Sequence, residues 1–96
     1  MKVYGLAEVV SYNTSGRARE FIIEINGSLD KEDKIRTLAH EMIHVKQLAK
    51  GTLKQVDGVN YWKGKRYRKN HKYLNLPWEI EAFSKQELLF RKVIER

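Results

Sequence analysis

His40, Glu41 and His44 stand together in "LAHEMIHVKQ", residues 38–47 of the chain. On an α-helix, residues four apart differ by about 40° around the axis and about 6 Å along it. His40 and His44 therefore project together and can place two imidazole nitrogens on one metal ion. Glu41 lies about 100° round from His40, on the edge of the same face. That position suits a general base acting on a water activated by the metal, since zinc lowers the pKa of such a water towards ~7. The chain has no cysteine, so any metal must be held by histidine and carboxylate. The same five-residue pattern also arises in helices whose histidines only pack or hydrogen-bond. A third ligand is therefore needed.

"LPWEIEAF", residues 76–83, offers two candidates, Glu79 and Glu81. Ala82, Phe83, Phe90 and Val93 follow Glu79 by three, four, eleven and fourteen residues, which puts Glu79 on the inward stripe of a helix. Glu81 is expected to point with Lys85 and Lys92, towards solvent. An acid on an inward face is unusual unless paired or metal-bound, so periodicity favours Glu79. A glutamate in a first turn also suits the helix dipole without any metal.

His40-Glu41-x-x-His44 followed by Glu79-x-x-Ala82 resembles the gluzincin zinc metallopeptidases, and the short "PWEIEA" form is similar to small phage- and prophage-type members. The resemblance covers residues 30–96. It implies that His40, His44 and Glu79 bind zinc, and that Glu41 serves as general base and acid in peptide-bond hydrolysis. Many gluzincins carry an acidic residue four after the ligand glutamate, where it orients a zinc-binding histidine. Here that position is Phe83, so the orienting groups must come from elsewhere. The group also usually supplies a Tyr or His to the oxyanion. Tyr61, Tyr67, His71 and Tyr73 are within reach in sequence, with Tyr73 and His71 named first because they precede the glutamate helix.

The elements that must position these residues read as α+β. Residues 3–10 and 18–25 are rich in β-branched and aromatic residues around a turn-like "SYNTSGR", which predicts an antiparallel hairpin. Asp30 is a plausible N-cap, with Glu32 and Asp33 in the acidic first turn. Ile35, Leu38, Ala39, Met42, Ile43 and Ala49 then form a helical apolar stripe to Lys50, adjoined by Thr37, His40, His44 and Gln47. Gly51 sits at the C-cap position. Residues 52–67 hold turns at Asp57-Gly58 and Lys63-Gly64, read as a hairpin. Pro77 opens the last helix. The expected order is β-β-α-hairpin-α.

Ninety-six residues suit one domain, residues 1–96. No apolar run reaches the length a bilayer requires, and the first residues lack the pattern of a secretory signal. The expected compartment is cytoplasmic. The net charge of +7 is concentrated in residues 61–72, "YWKGKRYRKNHK", with six Lys/Arg and no acid. That run is either a solvated basic hairpin or a surface for an acidic or nucleic-acid partner, in which Trp62, Tyr67 and Tyr73 could stack on bases. Three functions compete: a zinc endopeptidase acting on a peptide or protein substrate, a basic nucleic-acid-binding module, and a catalytically quiet interaction domain on the same scaffold. "REFIIEI" could align an extended peptide if its edge is free, although Phe21, Ile23 and Ile25 are better read as core.

Overall fold

The computed structural model describes residues 5–14, 17–67 and 76–94. Two strands come first, β1 (Gly5–Tyr12) and β2 (Ala18–Ile25). A 20-residue helix, α1 (Lys31–Lys50), follows, then three short strands, β3 (Leu53–Val56), β4 (Val59–Trp62) and β5 (Lys65–Tyr67). Helix α2 (Pro77–Ile94) completes the described chain. The architecture is α+β, as the sequence predicts, with a third strand where a hairpin was expected.

β1 and β2 pair antiparallel, Ala7 opposite Ile23 and Val9 opposite Phe21, with the register shifting past Val10. Alternation puts Ala7, Val9, Phe21, Ile23 and Ile25 towards α1, while Leu6, Val10, Tyr12 and Ile22 face out. The packing assigned to Phe21, Ile23 and Ile25 fits this inward row. β3, β4 and β5 form a meander, with Leu53 opposite Trp62 and Trp62 opposite Lys65. Its two turns are two-residue connections with positive φ at both central positions: 50° and 77° at Asp57 and Gly58, 51° and 84° at Lys63 and Gly64. Such turns match the twist of the strands they join.

α1 begins where expected. The Asp30 side chain accepts from the Asp33 backbone N–H at 2.8 Å, satisfying one of the free donors of the first turn. Gly51, at φ 79°, ends the helix in the left-handed conformation and returns its N–H to the Leu48 carbonyl. The face that α1 buries differs from the expected apolar stripe. Thr37, Ala39, His40, Glu41, Ile43, His44, Gln47 and Leu48 are buried, whereas Leu38 and Met42 are 43% and 46% exposed. Because α1 is covered on one side by the hairpin and on another by α2, its polar histidine face is interior.

α2 is held at both ends. Near its start, Trp78 joins Ala18, Leu48, Leu53 and Trp62 in the core, with its ring 6.4 Å from that of Trp62 and 5.4 Å from that of Tyr67. Buried aromatic area of this kind dominates small cores. Further along, Arg36 of α1 reaches Glu87 at 2.9 Å and lies 4.2 Å over the Phe90 ring. Ala82 and Phe90 are buried as predicted, but Phe83 and Val93 are exposed, because the contact stripe on α2 is narrower than the apolar positions suggest. The two anchors fix the rotation of α2 against α1, and with it the position of Glu79.

Candidate metal centre

His40, His44 and Glu79 converge on one point and are all buried. His40 Nε2 and His44 Nε2 lie 2.9 and 3.0 Å from the same Glu79 oxygen, Oε1, and 3.1 Å from each other. The rings stand edge to face, 4.7 Å between centroids. Of the two expected third ligands, Glu79 is the one in the cluster. It enters through the first turn of α2, beside the Trp78 anchor.

The other nitrogen of each imidazole is also engaged. His44 Nδ1 lies 2.8 Å from Gln47 Oε1, and His40 Nδ1 lies 2.6 Å from Gln86 Oε1. Each ring thus turns one nitrogen to a carboxamide oxygen and the other to the shared point. When Nδ1 donates on both rings, as binding an ion through Nε2 requires, both Nε2 atoms present lone pairs to that point, where Glu79 adds a third. Three lone pairs within about 3 Å repel unless a proton or a cation sits among them. The donor set therefore fits a divalent ion. Tetrahedral zinc with ligands at about 2.1 Å spaces its donors by about 3.4 Å, so the triangle needs to open by only a few tenths of an ångström. Two nitrogens and one carboxylate are also the donor types that zinc takes where it keeps a coordination position open.

The charges follow from burial and these contacts. Burial alone would raise the Glu79 carboxyl, but hydrogen bonds and charge from His40 and His44 pull it down to about 2. Burial would depress His44; the hydrogen bond and charge of Glu79, aided by Gln47 and Glu41, outweigh it and raise the imidazole above its ordinary value. Burial raises Glu41 above the usual carboxylate range, against the opposing pull of His44 and His40 and with some help from Glu79. Glu41 is buried where α1 meets the start of β1: a side chain at Gly5 would put its Cβ 3.3 Å from Glu41 Cγ. Among the described residues its carboxylate accepts no hydrogen bond. A carboxylate beside the cluster, made more basic by burial and accepting no hydrogen bond among the described residues, has the properties of a proton acceptor.

Sequence reasoning placed Glu81 in solvent. It is instead half-buried and accepts from Gln47 Nε2 at 3.0 Å, with Lys85 Nζ 3.6 Å from its other oxygen. The hydrogen bond from Gln47 holds its carboxyl below the ordinary value, with Lys85 and Lys63 adding to the effect. Phe83 occupies the position where an orienting acid was sought, and its ring packs 4.6 Å from that of His40. The orienting groups are Gln47 and Gln86. The first was recognised only as part of the histidine face and the second was missed. Their signal was spacing alone: Gln47 is one helical turn beyond His44, and Gln86 is seven residues beyond Glu79 on the same face.

Tyr73 and His71 lie outside the described residues, as does part of the basic run 61–72. Tyr67 sets its ring against Trp78, and Tyr61 is half-buried in β4. Trp62 is buried, so its faces belong to the core and not to a stacking platform. Lys63, Lys65 and Arg66 are exposed. No helix among the described residues is long and apolar enough to cross a membrane. Compared with protein-family models, curated proteins and solved structures, the chain matches none.

Proposed function

We propose that the chain is a zinc-dependent peptidase that hydrolyses peptide bonds with Glu41 as general base. The observation that carries this reading is the convergence of His40 Nε2, His44 Nε2 and Glu79 Oε1 within 3.1 Å, beside the buried residue Glu41, whose carboxylate accepts no hydrogen bond among the described residues. Three donors among the described residues leave room for substrate and water. Zinc bound there supplies Lewis acidity to a carbonyl oxygen and brings the pKa of a ligated water towards ~7. Glu41 takes a proton from the attacking water and returns it to the leaving amine. Burial makes it more basic and so favours the first transfer.

His40 and His44 would hold the ion as neutral donors and Glu79 would contribute one negative charge, so a divalent cation and its three ligands would carry one net positive charge, facing the Glu41 carboxylate. A metal centre that keeps a net positive charge on its ligand set is suited to polarising a carbonyl oxygen. The test is cleavage of an unfolded protein by zinc-loaded wild type, by the same protein with a chelator, and by Glu41→Gln. Cleavage lost in the second and third cases, with the Glu41→Gln protein still folded and zinc-bound, supports the reading. Zinc bound with no turnover in the wild type would leave a quiet interaction domain. Salt-sensitive nucleic-acid binding without zinc would point to the basic run.

A further inference from the structure

Gln47 is locked in a way that decides which nitrogen of His44 carries a hydrogen. Its Nε2 donates to the Trp78 carbonyl and to Glu81 Oε1, each at 3.0 Å. Both partners are pure acceptors: a backbone carbonyl and a carboxylate. The carboxamide therefore cannot turn over, because that would set its oxygen against two others. Its Oε1 must then face His44 Nδ1, at 2.8 Å. An oxygen that only accepts requires a donor opposite, so Nδ1 carries the hydrogen and Nε2 is left to face Glu79 and His40.

Gln86 differs. Its Oε1 lies 2.6 Å from His40 Nδ1, but among the described residues nothing holds its amide nitrogen. The Gln86 carboxamide facing His40 can therefore turn over and accept either tautomer; the Gln47 carboxamide facing His44 cannot. Gln47, His44 and Trp78 are buried, so water competes weakly for the Gln47 contacts to His44 and to the Trp78 carbonyl.

We infer that Gln47, clamped by Glu81 and the Trp78 carbonyl, is a positioning residue that presets His44 as the Nδ1–H tautomer with its Nε2 lone pair aimed at the ion. The clamp does for His44 what an acidic partner commonly does for a metal-binding histidine, using a neutral group held by an acid one link further out. It also gives Glu81 a role without ligation, since Glu81 acts on the site through Gln47. The inference rests on the zinc reading only for its purpose; the tautomer itself is a property of the chain.

The test is ring-nitrogen NMR of His44 in chelator-stripped wild type and in Gln47→Leu, at about pH 9 where imidazoles are ordinarily neutral, followed by zinc titration of both. The wild type should carry the hydrogen on Nδ1. In Gln47→Leu it should move to Nε2, where Glu79 accepts it, and zinc affinity should fall about 10- to 100-fold. A wild-type His44 with its hydrogen on Nε2 overturns the inference whether or not the variant folds, and so does an unchanged tautomer in a folded Gln47→Leu. Failure of the wild type to bind zinc, with its tautomer as stated, counts against the peptidase reading and leaves the lock intact.

Discussion

His40 Nε2 and His44 Nε2 stand 3.1 Å apart, each also in contact with one oxygen of Glu79. Two imidazoles approach in this way when a proton on one of the nitrogens, or a metal ion, joins them. In α1 the approach costs nothing in backbone geometry, because residues four apart already share a face. What is specific is the acid that completes the triangle from a second helix, 35 residues further along.

That relationship separates the two glutamates of α2. Under the proposed function Glu79→Ala removes a ligand and should lower zinc affinity by well over about 100-fold, the upper end for losing a mere orienting group. Glu81→Ala removes only the outer link of the Gln47 clamp and should cost no more than about 100-fold. Zinc content of the two purified variants, measured beside the wild type, gives the comparison. Equal loss in both would contradict the assignment.

Zinc affinity should depend on pH through His44 more than through Glu79. A metal must displace the His44 proton, and that imidazole is raised above 6.5, so affinity should start to fall while pH is still above 6.5. Glu79, at about 2, stays ionised throughout and adds no second fall above pH 4. The stripped protein follows the same groups. Glu79 is depressed, so its contribution to stability is present above 4.5 and is lost as pH falls towards 2. His44 is raised, so its contribution is present below 6.5 and is lost as pH rises through its folded value. Chelator-treated protein should therefore melt highest between these limits, and zinc should extend the plateau upwards. Melting curves across pH with and without zinc read both effects.

Glu41→Gln should separate activity from stability. Loss of a general base costs about 10²- to 10⁴-fold in rate. The buried carboxyl is raised above 4.5, so it favours the folded state only below that pH and opposes it as pH rises through its folded value. Replacing it by a neutral amide should leave the Tm at neutral pH unchanged or higher. A variant that loses both activity and several degrees of Tm would mean that Glu41 is structural.

Gly5 tests how closely β1 approaches the site. A Cβ there would lie 2.6 Å from Thr37 Cγ2, 3.0 Å from the Glu24 carbonyl oxygen and 3.3 Å from Glu41 Cγ. Gly5→Ala should cost about 1–3 kcal/mol, as overpacking does, or roughly 4–8 °C of Tm per kcal/mol for a domain of this size. Gly27→Ala, which meets nothing within 4 Å, is the control and should be near neutral. Thermal melts of the pair decide it.

Much of this arrangement was legible in the sequence because it is local. Asp30 and Gly51 mark the ends of α1 through capping chemistry that acts within one turn, and Asp57-Gly58 and Lys63-Gly64 mark turns for the same reason. Glu79 was legible through the stripe it shares with Ala82 and Phe90. Leu38, Met42, Phe83 and Val93 were expected inside and are exposed, because periodicity gives a face but not the width of its neighbour's contact. β5, only three residues long, has too little pattern to register. The role of Gln47 depends on the Trp78 carbonyl and Glu81 crossing it from another helix, which no spacing within α1 encodes.

The most direct measurement is calorimetric titration of chelator-stripped wild type with zinc at neutral pH, repeated with His44→Ala. The account predicts one zinc per wild-type chain, proton release on binding, and loss of that site in the variant. Absence of a saturable site in folded wild type, or an undiminished site in folded His44→Ala, would contradict it.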